Sequence, residues 1–256
     1  MYSIRATILQ KLPSACPLCG LTARGGNLCS GCAQDFVWRL NGLLRCVRCL
    51  NPLPRQTSSA TLATADDTLQ AAQCSRCRRD APPYARLVAA MDYAYPTAML
   101  IQRFKEGAYL AYAGLFARVL WTRLRTQPPV DAGLLPFGAL VPIPSSQQAL
   151  RRRGFNPAGE LALELARLSG YPLQREWLRR TRETPSQKVL DSAARRESVK
   201  GLYVCPHALP RVWVGLVDDV VTTGSTMHTA ARALLNAGAA GVVALAAAHT
   251  PMRPVS

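Results

Sequence analysis

Beyond residue 87, short apolar runs alternate with helix-spaced segments. RVWVGLVDD at 211–219 and GVVALAAA at 241–248 are near-continuous apolar runs, as expected of strands covered on both faces. VAAMDYA at 88–94 reads as a strand or strand edge, and ALVPIP at 139–144 as a short strand closed by prolines. Helical patterns lie between them. Residues 97–126 carry helical spacing. Asn156 and Pro157 open a helix as N-cap and first-turn residue, Gly170 closes it, and Leu161, Leu165 and Leu168 form its buried stripe. A further helix over roughly 225–237 ends at Gly238. Strands alternating with helices predict an α/β domain on a parallel sheet.

The first 82 residues lack such a pattern and are organised by cysteine. Eight of the nine cysteines form four CxxC pairs: Cys16 and Cys19, Cys29 and Cys32, Cys46 and Cys49, Cys74 and Cys77. A CxxC turn aims two thiolates at one metal, and two such turns complete a tetrahedral zinc site. The expectation is two structural zinc sites in a module over 1–82, followed by a second domain over 83–256. Sequential pairing gives one site from the first two pairs and another from the last two; interleaved pairing is the alternative. A disulfide framework is disfavoured without a secretion signal. RQTSSATLATADDTLQAAQ at 55–73 has the composition of a mobile loop. Cys205, near His207, stands alone and reads as a packed or surface thiol.

Composition changes the picture through charge. The formal net charge is +16, and eight thiolates (−8) with two zinc ions (+4) lower it by only four. This favours polyanionic partners such as nucleic acid or phosphate metabolites. Residues 151–200 hold 12 Lys/Arg against 6 Asp/Glu. Arg76, Arg78 and Arg79 crowd the last CxxC pair, while Arg45 and Arg48 flank the third. Trp38, Phe155, Trp177 and Tyr203 lie near basic residues, where they would stack on bases or, individually, pack in the core. No apolar run is long enough to span a membrane, and the N-terminus lacks the apolar stretch of a secretory signal, so a cytoplasmic location is expected.

The chemistry concentrates in VGLVDDVVTTGST at 214–226. An apolar strand runs into Asp218 and Asp219, then into the small and hydroxyl residues Thr222, Thr223, Gly224, Ser225 and Thr226 at a helix start. Backbone N–H groups and the helix dipole there suit an anion, and ligands of open α/β sheets bind at such strand ends. The stretch is neither a P-loop nor a GxGxxG fingerprint, since GxxxxGK[ST] and GxGxxG are absent. Acids beside a phosphate cradle make sense for a ribose 5-phosphate: carboxylates accept from vicinal hydroxyls while the loop takes the phosphate at the other end of the sugar.

This stretch resembles the phosphoribosyl pyrophosphate (PRPP) motif of type I phosphoribosyltransferases. The resemblance assigns the ribose hydroxyls to Asp218 and Asp219 and the 5′-phosphate to 222–226. The four CxxC pairs, FKEG at 104–107, VPIP at 141–144, RRRGFNPA at 151–158 and the PRPP motif together resemble the ComF/GntX family, over nearly the whole chain. That family couples a double zinc ribbon to a phosphoribosyltransferase-like domain and is associated with natural competence and the use of external DNA. The resemblance implies that Lys105, Ser145 in the loop after Pro144, and Arg151, Arg152 and Arg153 line the pyrophosphate end, with Mg²⁺ accompanying PRPP. Residues 184–201 resemble a segment that closes over the site, with Ala194 and Ser198 departing from the usual pattern.

Two functions follow. One is a protein that binds PRPP or a ribose 5-phosphate group and handles single-stranded DNA, with competence-machinery proteins as implied partners. The other is an Mg-dependent phosphoribosyltransferase acting on a nucleobase or amine; neither a general base nor a base-recognising segment is evident for it. A weaker third reading is regulatory, with the pocket sensing PRPP or a nucleotide.

Overall fold

A computed structural model describes residues 11–37, 44–53, 73–106, 109–126, 137–183 and 201–251. The chain begins with a small antiparallel hairpin, β1 (Pro13–Ala15) and β2 (Thr22–Arg24), and a short helix α1 (Ser30–Phe36). A second short helix, α2 (Ser75–Arg79), starts within the last CxxC pair, with Cys74 at its N-cap and Cys77 inside it. These pieces carry little apolar core of their own and dock on the rest of the molecule through arginines. Arg118 donates to the Asn27 side chain and the Gly25 carbonyl, and the buried Arg123 donates to the Val37 carbonyl. Arg45 makes a bidentate pair with Asp92 at 2.7 and 3.0 Å, and the Arg48 carbonyl accepts from Leu87 N–H.

The apolar runs form a four-stranded sheet. The strands are β3 (Arg86–Asp92), β4 (Ala139–Pro142), β7 (Trp213–Val221) and β8 (Gly241–His249), in the order β3-β8-β7-β4 with every neighbour parallel. A separate two-stranded antiparallel sheet pairs β5 (Arg179–Arg180) with β6 (Tyr203–Val204). Successive residues of a strand point to opposite faces, so the large sheet separates two cores. Val88, Ala90, Leu245 and Ala247 enter one, with α3 (Thr97–Lys105), α4 (Tyr112–Thr126) and α6 (Pro157–Ser169). Leu87, Ala89, Ala244 and Ala246 enter the other, with α7 (Ser225–Asn236) and the β5/β6 segment. This is the expected α/β class: a parallel sheet covered on both faces, as in the phosphoribosyltransferase-like fold, preceded by a cysteine-cluster region.

Four details differ from expectation. The helical spacing over 97–126 belongs to two helices, α3 and α4. The period runs through the break because Leu100, Ile101 and Phe104 share a core with Phe116, Leu120 and Leu124. A helix α5 (Gln147–Arg153) occupies what reads as a loop; none of its residues is buried, so no apolar stripe announces it. β7 extends two residues beyond Asp219, because Val220 and Val221 pair with Ala248 and His249. Asn156 stands at the N-cap of α6, but its side chain makes no cap bond and braces the loop after β4 instead.

Candidate functional site

Asp218 and Asp219 sit within the last four residues of β7, where the parallel ladder delivers the chain to one end of the sheet. Each carboxylate accepts from the next backbone N–H, Asp219 N–H to Asp218 at 2.8 Å and Val220 N–H to Asp219 at 2.7 Å, which holds both side chains in place. Asp218 is half-buried as a residue, but its carboxyl lies among enough protein atoms to be desolvated. That burial, then the charge of Asp219, raises its pKa well above the usual carboxylate range; the Asp219 N–H and Lys105 pull the other way. The charged pair is costly to hold here unless a ligand or cation engages it.

The chain leaves β7 and turns sharply into α7. Gly224, at φ 77°, takes the left-handed conformation that the turn needs and that an L side chain rarely adopts. Thr223 and Ser225 share a hydroxyl–hydroxyl hydrogen bond at 2.9 Å, and Thr229 Oγ1 donates to the Ser225 carbonyl. The result is a hydroxyl-lined loop at the N-terminus of a 12-residue helix, where donors and the helix dipole converge.

A cavity of about 370 Å³ joins the two acids to this loop. Lys105, the last residue of α3, reaches into it and pairs with Asp219 at 3.0 Å. Ser145 also lines it and donates to Asn156 Oδ1; the Asn156 amide in turn donates to the Ile143 carbonyl. Of the three arginines closing α5, Arg153 lines the cavity, while Arg151 and Arg152 are exposed on the helix end that Gly154 terminates. Every residue at 222–226 lines it as well.

The sequence did not point to Tyr93 and Arg180 as lining residues, and Tyr203, considered only as a base platform or a core residue, lines the cavity too. Arg180 and Tyr203 arrive through the β5/β6 ladder, a pairing across 23 positions that no local pattern reports. Burial, then the nearby charge of Asp218, pushes the Tyr203 hydroxyl up to about 12, so it stays a proton donor. Among the aromatic residues considered as base platforms, Tyr203 is buried, Phe155 packs against Phe104, Trp177 packs on the core, and Trp38 lies outside the described residues. Residues 184–200, with Ala194 and Ser198, also lie outside them, as do 55–72 of the polar stretch.

The cysteines gather into two groups, Cys16, Cys19, Cys29 and Cys32, and Cys46, Cys49, Cys74 and Cys77. This is the sequential pairing rather than the interleaved one. In each group the sulfurs lie within 4.8 Å of one another, with Cys19 and Cys29 at 3.6 Å and Cys49 and Cys74 at 3.7 Å. Four sulfurs bound tetrahedrally to one zinc at roughly 2.3 Å would lie about 3.8 Å apart, so the donors fit the ion. In the second group, hydrogen bonds from Cys49 and Cys77 hold the Cys46 thiol far down, while Cys77 is driven far up, first by its bond to Cys46. Such a cluster favours a cation. Cys205 donates to the His207 carbonyl and joins neither group.

No family model matches the chain. Among curated proteins it is similar to the DNA utilization protein YhgH of Salmonella typhimurium, 30% identical over 233 residues that cover 90% of this chain and 95% of that one. It is 34% identical over 169 residues to YhgH of Escherichia coli K12, covering 66% of this chain and 74% of that protein. Competence protein F of Haemophilus influenzae is 31% identical over 171 residues, with the same shares covered. The chain belongs to the ComF family. In this ComF protein the two four-cysteine groups fit a double zinc ribbon, and the strand-end cavity lies in the phosphoribosyltransferase-like part. Among the described residues no helix is long and apolar enough to cross a membrane.

Proposed function

We propose that this ComF protein binds a ribose 5-phosphate group, as PRPP or as part of a nucleotide, and acts in the cytoplasm on incoming single-stranded DNA. The observation that carries the reading is one cavity lined both by Asp218 and Asp219 and by the 222–226 loop. Two acceptor carboxylates suit vicinal sugar hydroxyls, and a helix start suits a phosphate. The DNA role is supported by the names of the relatives, DNA utilization protein and competence protein F, and by a net charge of +16 with Arg76, Arg78, Arg79, Arg151 and Arg152 exposed. Competence-machinery proteins would then be its partners.

Titration of labelled single-stranded DNA at two salt concentrations tests the DNA half. Binding should weaken steeply with salt, and the slope should flatten when Arg151, Arg152 and Arg153 become Ala. No binding at low salt would remove it.

A phosphoribosyl transfer is the second reading, favoured by Lys105, Ser145 and Arg153 around the same cavity as the acids. There Mg²⁺ would accompany PRPP and offset pyrophosphate charge, and Lys105 would exchange Asp219 for a pyrophosphate oxygen. Incubation with PRPP, Mg²⁺ and a panel of bases and amines should then release pyrophosphate; silence with every acceptor would leave binding without transfer.

A further inference from the structure

Away from the acids, a groove of about 720 Å³ lies between the first cysteine group and the helices beneath it. One wall runs along the β1/β2 hairpin, from Pro17, Leu18 and Gly20 at its turn to Gly25 and Gly26 at its open end. The other wall is Arg103 of α3, residues 109–112 and Arg118 of α4. The groove is open to solvent along both walls: Ala15, Gly20, Gly26, Tyr109 and Leu110 are exposed. A Cβ at Gly20 or Gly26 would meet nothing within 4 Å, so a ligand can approach the hairpin backbone closely.

An aromatic ladder reaches this groove from the core. Phe104 packs against Phe116 at 5.6 Å and Phe116 against Tyr112 at 6.5 Å, both edge to face; Tyr112 then stacks on Tyr109 at 5.1 Å with 10° between the rings. Exposure rises along the ladder, from 0% at Phe104 to 9% at Tyr112 and 47% at Tyr109. The Arg103 guanidinium lies over the Tyr109 ring, 5.8 Å from its centre. The ladder therefore ends at solvent in a tyrosine held flat from behind and flanked by an arginine.

Charge selects the occupant. Arg103 and Arg118 line the groove, and Lys11 and Arg24 are exposed on the same hairpin. The one acid among the lining residues, Glu164, is paired with Arg167. A positive groove with a fixed ring and a guanidinium plane suits a single strand, whose phosphates meet the cations while an unstacked base lies on the ring. A duplex keeps its bases stacked away from such a ring. Resting on the DNA half of the proposed function and not on its sugar-phosphate half, we infer that this groove holds the DNA single strand, with one base stacked at Tyr109 and Arg103 and the flanking phosphates along the hairpin. Lys105, two residues beyond Arg103, lines the acid cavity instead, so the last turn of α3 separates the two sites.

The test uses the zinc-loaded full chain and fluorescence anisotropy at low salt. The labelled probes are oligothymidylate of about twelve nucleotides and an abasic strand of the same length, which keeps the phosphates and lacks the bases. Wild type should bind oligothymidylate roughly ten-fold tighter than the abasic strand, the gain expected from one stacked base. Tyr109→Ala should abolish that gain and leave abasic binding unchanged, whereas Tyr109→Phe should keep it. Ala15→Glu, which adds a carboxylate to the hairpin wall and truncates nothing, should weaken both probes. Equal binding of the two probes by wild type needs no variant and would overturn the stacking site. A gain that persists in Tyr109→Ala, with Ala15→Glu also without effect, would place the strand elsewhere and leave the groove to a partner protein. Failure of wild type to bind either probe would overturn the DNA reading and the groove with it, and would leave the sugar-phosphate reading standing.

Discussion

At the scale of single residues, the Asp218 charge weighs against stability. Its folded pKa lies above the ordinary carboxylate value. Over the interval between the two values the folded state binds more protons than the unfolded state, so stability falls as pH rises through it. At neutral pH the charge is therefore a burden on the fold. Asp218→Asn should raise the Tm at pH 7, and the gain should vanish at a pH low enough to protonate the carboxyl in both states. Thermal unfolding across pH measures this; a variant less stable than wild type at pH 7 would show that the carboxylate supports the fold. Lys105 offsets part of the burden through its 3.0 Å pair with Asp219, and a bound sugar or cation would offset more.

At the scale of elements, the site is made by a strand, a turn and a helix in immediate succession, and the turn depends on Gly224. A Cβ there would meet the Tyr84 hydroxyl at 3.5 Å, an ordinary contact, so the obstacle is the backbone at φ 77° and not crowding. Gly224→Ala should cost about 1–2 kcal/mol in urea unfolding and should weaken sugar-phosphate binding, because the loop donors would turn away. Unchanged stability would show that the turn tolerates a side chain. This part was legible in advance because strand, acids, glycine and helix are contiguous in sequence. The same holds for the two four-cysteine sites, though not for the choice of sequential over interleaved pairing, and for α6, whose Pro157 start and Gly170 end appear where expected. What was not legible depends on distance or on exposure. Arg180 and Tyr203 meet the site through a ladder spanning the chain between β5 and β6. Helix α5 buries nothing, so it leaves no periodic trace. The Asn156 side chain serves the loop after β4 rather than the helix it begins, a choice made by Ser145 and the Ile143 carbonyl nearby.

At the scale of the whole molecule, the second cysteine group borders a cavity that also touches the start of α7. Arg45 ties the second cysteine group to Asp92 at the carboxyl end of β3, and Cys49 and Cys77 line a cavity that residues 221–225 also line. Metal content should be two zinc ions per chain by elemental analysis. Chelation should unfold the ribbons and weaken DNA binding while much of the sheet's circular-dichroism signal persists, since both sheet cores are largely built without the ribbons. Undiminished DNA binding after complete removal of zinc would separate the ribbons from the nucleic-acid role. Under the proposed function, the end of β7 and the start of α7 hold a sugar phosphate between them. Calorimetric titration of PRPP into wild type and into the Asp218→Asn/Asp219→Asn double variant tests it most directly. Loss of hydrogen bonds from two charged acceptors predicts a weakening of roughly ten- to a hundred-fold in a variant that remains folded; equal affinities would contradict the assignment.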